Sequence, residues 1–114
     1  MGMTLTLVQL PAFIAAAKRL GLGDDDVRAL ENMLLANPAA GQTVAGTGGL
    51  RKVRFAPPSW NTGKRGATRV CYAYFSTAAH VFFFTVYAKN VQENLTAAEK
   101  AYYRRVLGDL ARRM

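Results

Sequence analysis

Two β-rich runs near the end of this chain lie so close together that they can pair in only one sense. ATRVCYAYF, residues 67 to 75, and VFFFTVYAK, residues 81 to 89, are crowded with β-branched and aromatic side chains. Only Ser76 to His80 separates them. A parallel connection needs a dozen or more residues, so this link makes an antiparallel hairpin. A third run, Leu50 to Ala56, precedes them and is stopped by Pro57-Pro58. The loop from Pro57 to Gly66 joins it to the hairpin.

The remaining elements read from local signals. Thr4 to Leu10 is a short strand. Pro11 opens a helix through Phe13 and Ile14, which stops at Gly21 after Lys18 and Arg19. A second helix begins at Gly23-Asp24, with acids in its first turn, and ends at Asn37-Pro38. So short a link makes the two an antiparallel helical hairpin. Thr96-Ala97-Ala98-Glu99 is a capping box, and Tyr103, Val106, Leu107 and Leu110 give the last helix an apolar stripe. The order βααβββα predicts one α+β domain over residues 1–114, with a small antiparallel, mixed-edge sheet, an N-terminal helical hairpin and a C-terminal helix.

Charge says what kind of partner to expect. The chain has 114 residues, a formal net charge of +8 and a pI near 10.2. Residues 1–45 set Lys18, Arg19 and Arg28 against Asp24, Asp25, Asp26 and Glu31, a net of −1, which leaves +9 for the rest. From Arg51 to Arg69 there are six cations and no acid. A polyanion is the natural partner of such a stretch. Solvated sheet faces usually mix signs, so an unmixed one argues for binding.

Side chains alternate along a strand. Lys52 and Arg54 share a face, as do Arg69 and Cys71, and Tyr87 and Lys89. One arrangement gathers Lys52, Arg54, Arg69, Tyr87 and Lys89 in a patch and leaves Val53, Val70, Phe84 and Val86 for the core. On this reading the cationic face holds an anion and packs against no core.

Other chemistries find little support. One histidine and one cysteine cannot build a Cys/His zinc site, and neither metal nor cofactor is expected. Ser59 and Ser76 have no His/Asp partner set. Gly46-Thr47-Gly48-Gly49 precedes a strand and lacks a Gly-Lys-Ser/Thr ending, so it is no P-loop. Cys71 reads as a small apolar filler and His80 as a hairpin residue. A single cysteine permits no internal disulfide, in keeping with a cytoplasmic setting. The stretch TLTLVQLPAFIAAAKRLGL is broken by Gln9, Pro11, Lys18 and Arg19 and is expected neither to be a signal peptide nor to span a membrane. Asn94-Leu95-Thr96 matches a glycosylation acceptor, which carries no meaning in the cytoplasm.

GTGGLRKVRFA, GKRGATRVCYAYF and FFFTVYAKNVQENLTAAE together resemble the RelE superfamily of bacterial toxins, and within it the HigB-type branch of type II toxin-antitoxin systems. YAKNVQENLT before the last helix is the most specific part. The resemblance implies a small ribonuclease that cuts messenger RNA on the ribosome, and a cognate antitoxin, often of helix-turn-helix type. Matching the motifs puts Lys52, Arg54 and Arg69 at basic positions that the family uses for catalysis, and Lys89 near another at the end of the last strand. Where some members place a catalytic tyrosine, this chain reads Glu93, Asn94 and Leu95, so the resemblance does not supply a general acid.

The chemistry suits these residue types. Attack of a 2′-hydroxyl on its neighbouring phosphate needs a base, an acid and stabilisation of the phosphorane, and clustered cations can supply the last without a metal. Lys52, set among like charges, is a candidate base, and Glu93 the conventional alternative. Arg54 and Arg69 can clamp phosphate in a fork. Arg51, Lys64, Arg65, Tyr87 and Asn90 complete the expected RNA-binding set, Tyr87 as a stacking platform. Arg69→Ala is expected to cost rate but little stability, since it relieves repulsion in the cluster. Two other readings stay open: a non-enzymatic toxin of the same fold that poisons a protein such as DNA gyrase, and a basic nucleic-acid-binding module.

Overall fold

The computed structural model describes residues 4–60, 68–92 and 94–114. Its elements are β1 (Thr6–Gln9), α1 (Pro11–Arg19), α2 (Asp24–Ala36), β2 (Gln42–Thr43), β3 (Arg51–Phe55), β4 (Thr68–Phe75), β5 (His80–Ala88) and α3 (Ala97–Arg113), with a 3₁₀ turn at Pro58–Trp60. One five-stranded sheet runs β1-β5-β4-β3-β2. β4 and β5 form the expected hairpin, β3 adds antiparallel to β4, and β1 lies parallel on the far side of β5, which makes the sheet mixed at that edge. Gly21 closes α1 in the left-handed region at φ +72°, as its position predicted. At α3, Glu99 N donates to Thr96 Oγ1 and Thr96 N to Glu99 Oε1, the two halves of the capping box.

β2 escaped the sequence reading. It has two residues and no alternation; Gln42 and Thr43 become a strand only because β3 offers an open edge. Four hydrogen bonds hold that segment in place. Tyr72 Oη accepts from Gly41 N at 2.9 Å and donates to Pro38 O at 2.8 Å. Arg51 Nη1 donates to Gly41 O at 2.6 Å and to Ala39 O at 3.3 Å. Gly41 has no room for a side chain, since a Cβ there would lie 2.9 Å from Lys52 O. At the other end of the helical hairpin, buried Asp26 accepts from Gly23 N, Ser59 N and Ser59 Oγ, tying the start of α2 to the 3₁₀ turn.

The sheet carries a core on each face. On one, Phe13, Ala16 and Ala17 of α1 and Leu30 and Leu34 of α2 pack on Phe55, Val70, Tyr72, Val81, Phe83 and Val86. On the other, Leu95 and the α3 residues Tyr103 and Leu107 cover Leu50, Cys71, Ala73, Phe82 and Phe84. The expectation that the Lys52 face packs against no core is therefore corrected: α3 covers part of that face.

A β-bulge explains a second correction. Cys71 pairs with Thr85, but the next residue, Tyr72, pairs with Phe83, so Phe84 is an extra residue in β5. With strict alternation Val81, Phe83, Thr85 and Tyr87 would share one face. The bulge sends Val81 and Phe83 to the α1–α2 core and leaves Thr85 and Tyr87 on the other side. Phe84 is buried as expected, yet under α3, edge-on to Tyr103 at 5.7 Å, and apart from Val70 and Val86.

Candidate cationic cleft

β3 passes from beneath α3 into the open. Leu50, just before the strand, is buried under the helix, while Lys52 and Arg54, two and four residues on, emerge beyond it. Register then builds two rows across the sheet. Gln42, Lys52, Cys71 and Thr85 form the first, and Arg54, Arg69 and Tyr87 the second. Beyond the helix these rows floor a cleft of about 450 Å³, lined by Ala40, Gln42, Lys52, Val53, Arg54, Arg69 and Asn94. Its lining contains three cations and no acid among the described residues.

The cations sit differently. Arg54 is exposed, whereas Arg69 is only 8% exposed and its Nη1 donates to Thr68 O at 3.2 Å. Lys52 Nζ donates to Asn94 Oδ1 at 3.1 Å. Arg54 and Arg69 are direct cross-strand partners. Like charges so placed destabilise a sheet, and departures of this kind concentrate at functional sites. An incoming phosphate would relieve that repulsion.

The second row ends on Tyr87, whose ring packs against the α3 cluster. Its Oη is buried, meets no hydrogen-bonding geometry among the described residues, and lies beside the Cys71 thiol. Burial pushes the phenol well above its usual range, with Arg69 partly offsetting, so it stays protonated at neutral pH. The ring is held against the α3 cluster and lies outside the cleft lining, away from the stacking role expected of it. Burial likewise pushes the Cys71 thiol up to about 12, which leaves it an inert filler.

The other candidates divide. Arg51 faces away from Lys52 and Arg54, with its guanidinium on backbone carbonyls, so it fixes the β2 segment and does not line the cleft. Lys89 and Asn90 are exposed on the turn after β5, outside the lining. Glu93, Lys64 and Arg65 lie outside the described residues. Two lining residues, Gln42 and Asn94, were not foreseen. Asn94 had a faint signal, as a polar residue just before a helix cap in the most specific motif; Gln42 had none.

A cleft floored by cations on the sheet, beyond the C-terminal helix of a small α+β protein, could hold an anion. No protein-family model matches the sequence. Among solved structures, the Escherichia coli toxin RelE, as a double arginine-to-alanine mutant in the free state, is similar, with a TM-score of 0.50 and 20% identity over 80% of this chain and 90% of that one. The chain has a RelE-like fold.

Proposed function

We propose that this chain is the toxin of a type II toxin-antitoxin pair, of the HigB type, and that it cuts messenger RNA on the ribosome in the cytoplasm as a single domain over residues 1–114. The observation that carries the reading is the cleft in which Lys52, Arg54 and Arg69 converge without an acid among its described lining residues. A protein-poisoning toxin has no need of such a cleft. The YAKNVQENLT motif supports the HigB placement, and the RelE-like fold supports the toxin class.

In the mechanism, the scissile phosphate lies against Arg54 and Arg69, whose forked donors match two of its oxygens. Lys52, with Glu93 as alternative, takes the proton of the 2′-hydroxyl. O2′ bonds to phosphorus, the P–O5′ bond breaks, and O5′ takes a proton from solvent water, leaving a 2′,3′-cyclic phosphate and a free 5′-hydroxyl. Charge that builds on the phosphorane oxygens is stabilised where the cations already stand, with no reorganisation at the moment of reaction. Lys64 and Arg65 add to RNA affinity. The cognate antitoxin, of helix-turn-helix type, neutralises the chain by laying an acidic segment over the cleft.

The test is to incubate purified protein with ribosomes and message and map the RNA ends. Cuts bearing cyclic phosphate support the reading, and expression of the chain alone should arrest growth. Intact message with arrested DNA supercoiling would favour the gyrase-poison alternative, and RNA binding without cuts the binding module.

A further inference from the structure

Lys52 is not held by its own strand alone. Its Nζ reaches Asn94 Oδ1, on the segment between β5 and α3. That segment is itself clasped. Gln92 Nε2 donates to Asn94 O at 2.9 Å and to Glu99 Oε1 at 2.7 Å. Glu99 Oε1 also accepts from Thr96 N at 2.8 Å. Leu95, between Asn94 and the cap, is buried in the α3 core. The backbone of Asn94 is thus tied on both sides, with its side chain in the cleft.

We propose that Asn94, fixed by the Gln92–Glu99 clasp, is a positioning residue that aims Lys52 into the cleft. The inference deepens the ribonuclease reading and rests on it for its rate effects. A lysine has a long flexible stem and loses much rotamer freedom when held in one geometry. Lys52 sits in the row next to the Arg54–Arg69 pair, and repulsion from that pair drives its amine outward to solvent. An amide oxygen opposes that drift by accepting one N–H. Being neutral, it leaves the amine's remaining positions for substrate, where a carboxylate would form an ion pair that competes with the phosphate.

Two measurements test this. In single-turnover cleavage, Asn94→Ala should lower the maximal rate by roughly 10–100-fold with KM little changed, the usual cost of a misaimed group. Gln92→Ala should do the same to a smaller degree, and the double variant should be no worse than Asn94→Ala. In a Lys52→Ala background, Asn94→Ala should cost nothing further; a full-sized loss there overturns the proposal. The second measurement is independent of activity. Side-chain NMR relaxation at Lys52 Cε and Nζ should report a drop in order in both Asn94→Ala and Gln92→Ala, with an unchanged melting temperature. Undiminished Lys52 order in Asn94→Ala refutes the positioning role whether or not the protein cuts RNA. A wild-type chain that leaves message intact refutes the ribonuclease reading, while the relaxation result still decides whether Asn94 holds Lys52.

Discussion

Arg69→Ala separates a catalytic cation from a structural one, and the structure alters what it should do. From sequence, removal of one cation from the cluster was expected to cost rate but little stability, since it relieves repulsion. Arg69 is instead 8% exposed. Alanine keeps Cβ and loses two buried methylenes, at about 0.8 kcal/mol each. It also loses the guanidinium bond to Thr68 O, and a charged donor is worth about 1.5–3 kcal/mol. Relief of repulsion against exposed Arg54 returns at most about 1 kcal/mol. The net loss is about 2–5 kcal/mol, or roughly 8–20 °C in melting temperature for a domain of this size. Cleavage of message should fall by about 10²–10³, the cost of losing one preorganised donor to the transition state. Arg69→Lys should recover part of the rate, because a point charge cannot replace the fork. Arg54→Ala, its exposed partner, should lose rate with no change in melting. The assay is single-turnover cleavage on ribosomes well below each variant's melting temperature, beside a calorimetric melt. An Arg69→Ala protein that melts like wild type would refute the burial argument. One that melts low but cuts at the wild-type rate would refute the site.

Asp26→Ala should cost about 2–4 kcal/mol in denaturant unfolding, since three donors lose a charged acceptor. The Ser59 hydroxyl bond, ahead of any other influence, holds the Asp26 carboxyl below its ordinary value of 3.8. Its stabilisation is therefore full above that value and is lost as pH falls through the lower folded value; Asp26→Asn should flatten this acid limb, and an unchanged limb would show that other carboxylates set it. Gly41→Ala should destabilise by about 1–3 kcal/mol and also lower the cleavage rate, because the new Cβ pushes on the Lys52 carbonyl and on the β2 segment that walls the cleft. RNA affinity should fall steeply with salt, and replacing Lys52 or Arg54 by alanine should each reduce the log–log slope by about one, measured by anisotropy with a non-cleavable oligonucleotide.

Local chemistry was enough for the parts of this protein whose partners lie nearby in sequence. The short link made the hairpin, the Thr96–Glu99 box started α3, and Gly21 ended α1, because each rests on backbone groups a few residues apart. Alternation along β3 put Lys52 and Arg54 on one face, and pairing with β4 brought Arg69 to them. What the sequence could not settle depended on contacts made at long range. The bulge at Phe84 inverted the faces of half of β5, because one unpaired residue shifts every side chain beyond it. Arg51, equal to Lys52 by composition, was drawn to carbonyls on the other side. Whether the cationic face lay open depended on where α3 came down: it buried Cys71 and packed against Tyr87, and left the cleft beyond them. Asn94 entered the site only because the clasp at the start of α3 returned it to Lys52, 42 residues earlier in the chain. Strand faces follow from a period of two that every residue carries, whereas a helix's resting place on a sheet is fixed only by the fit of many side chains at once.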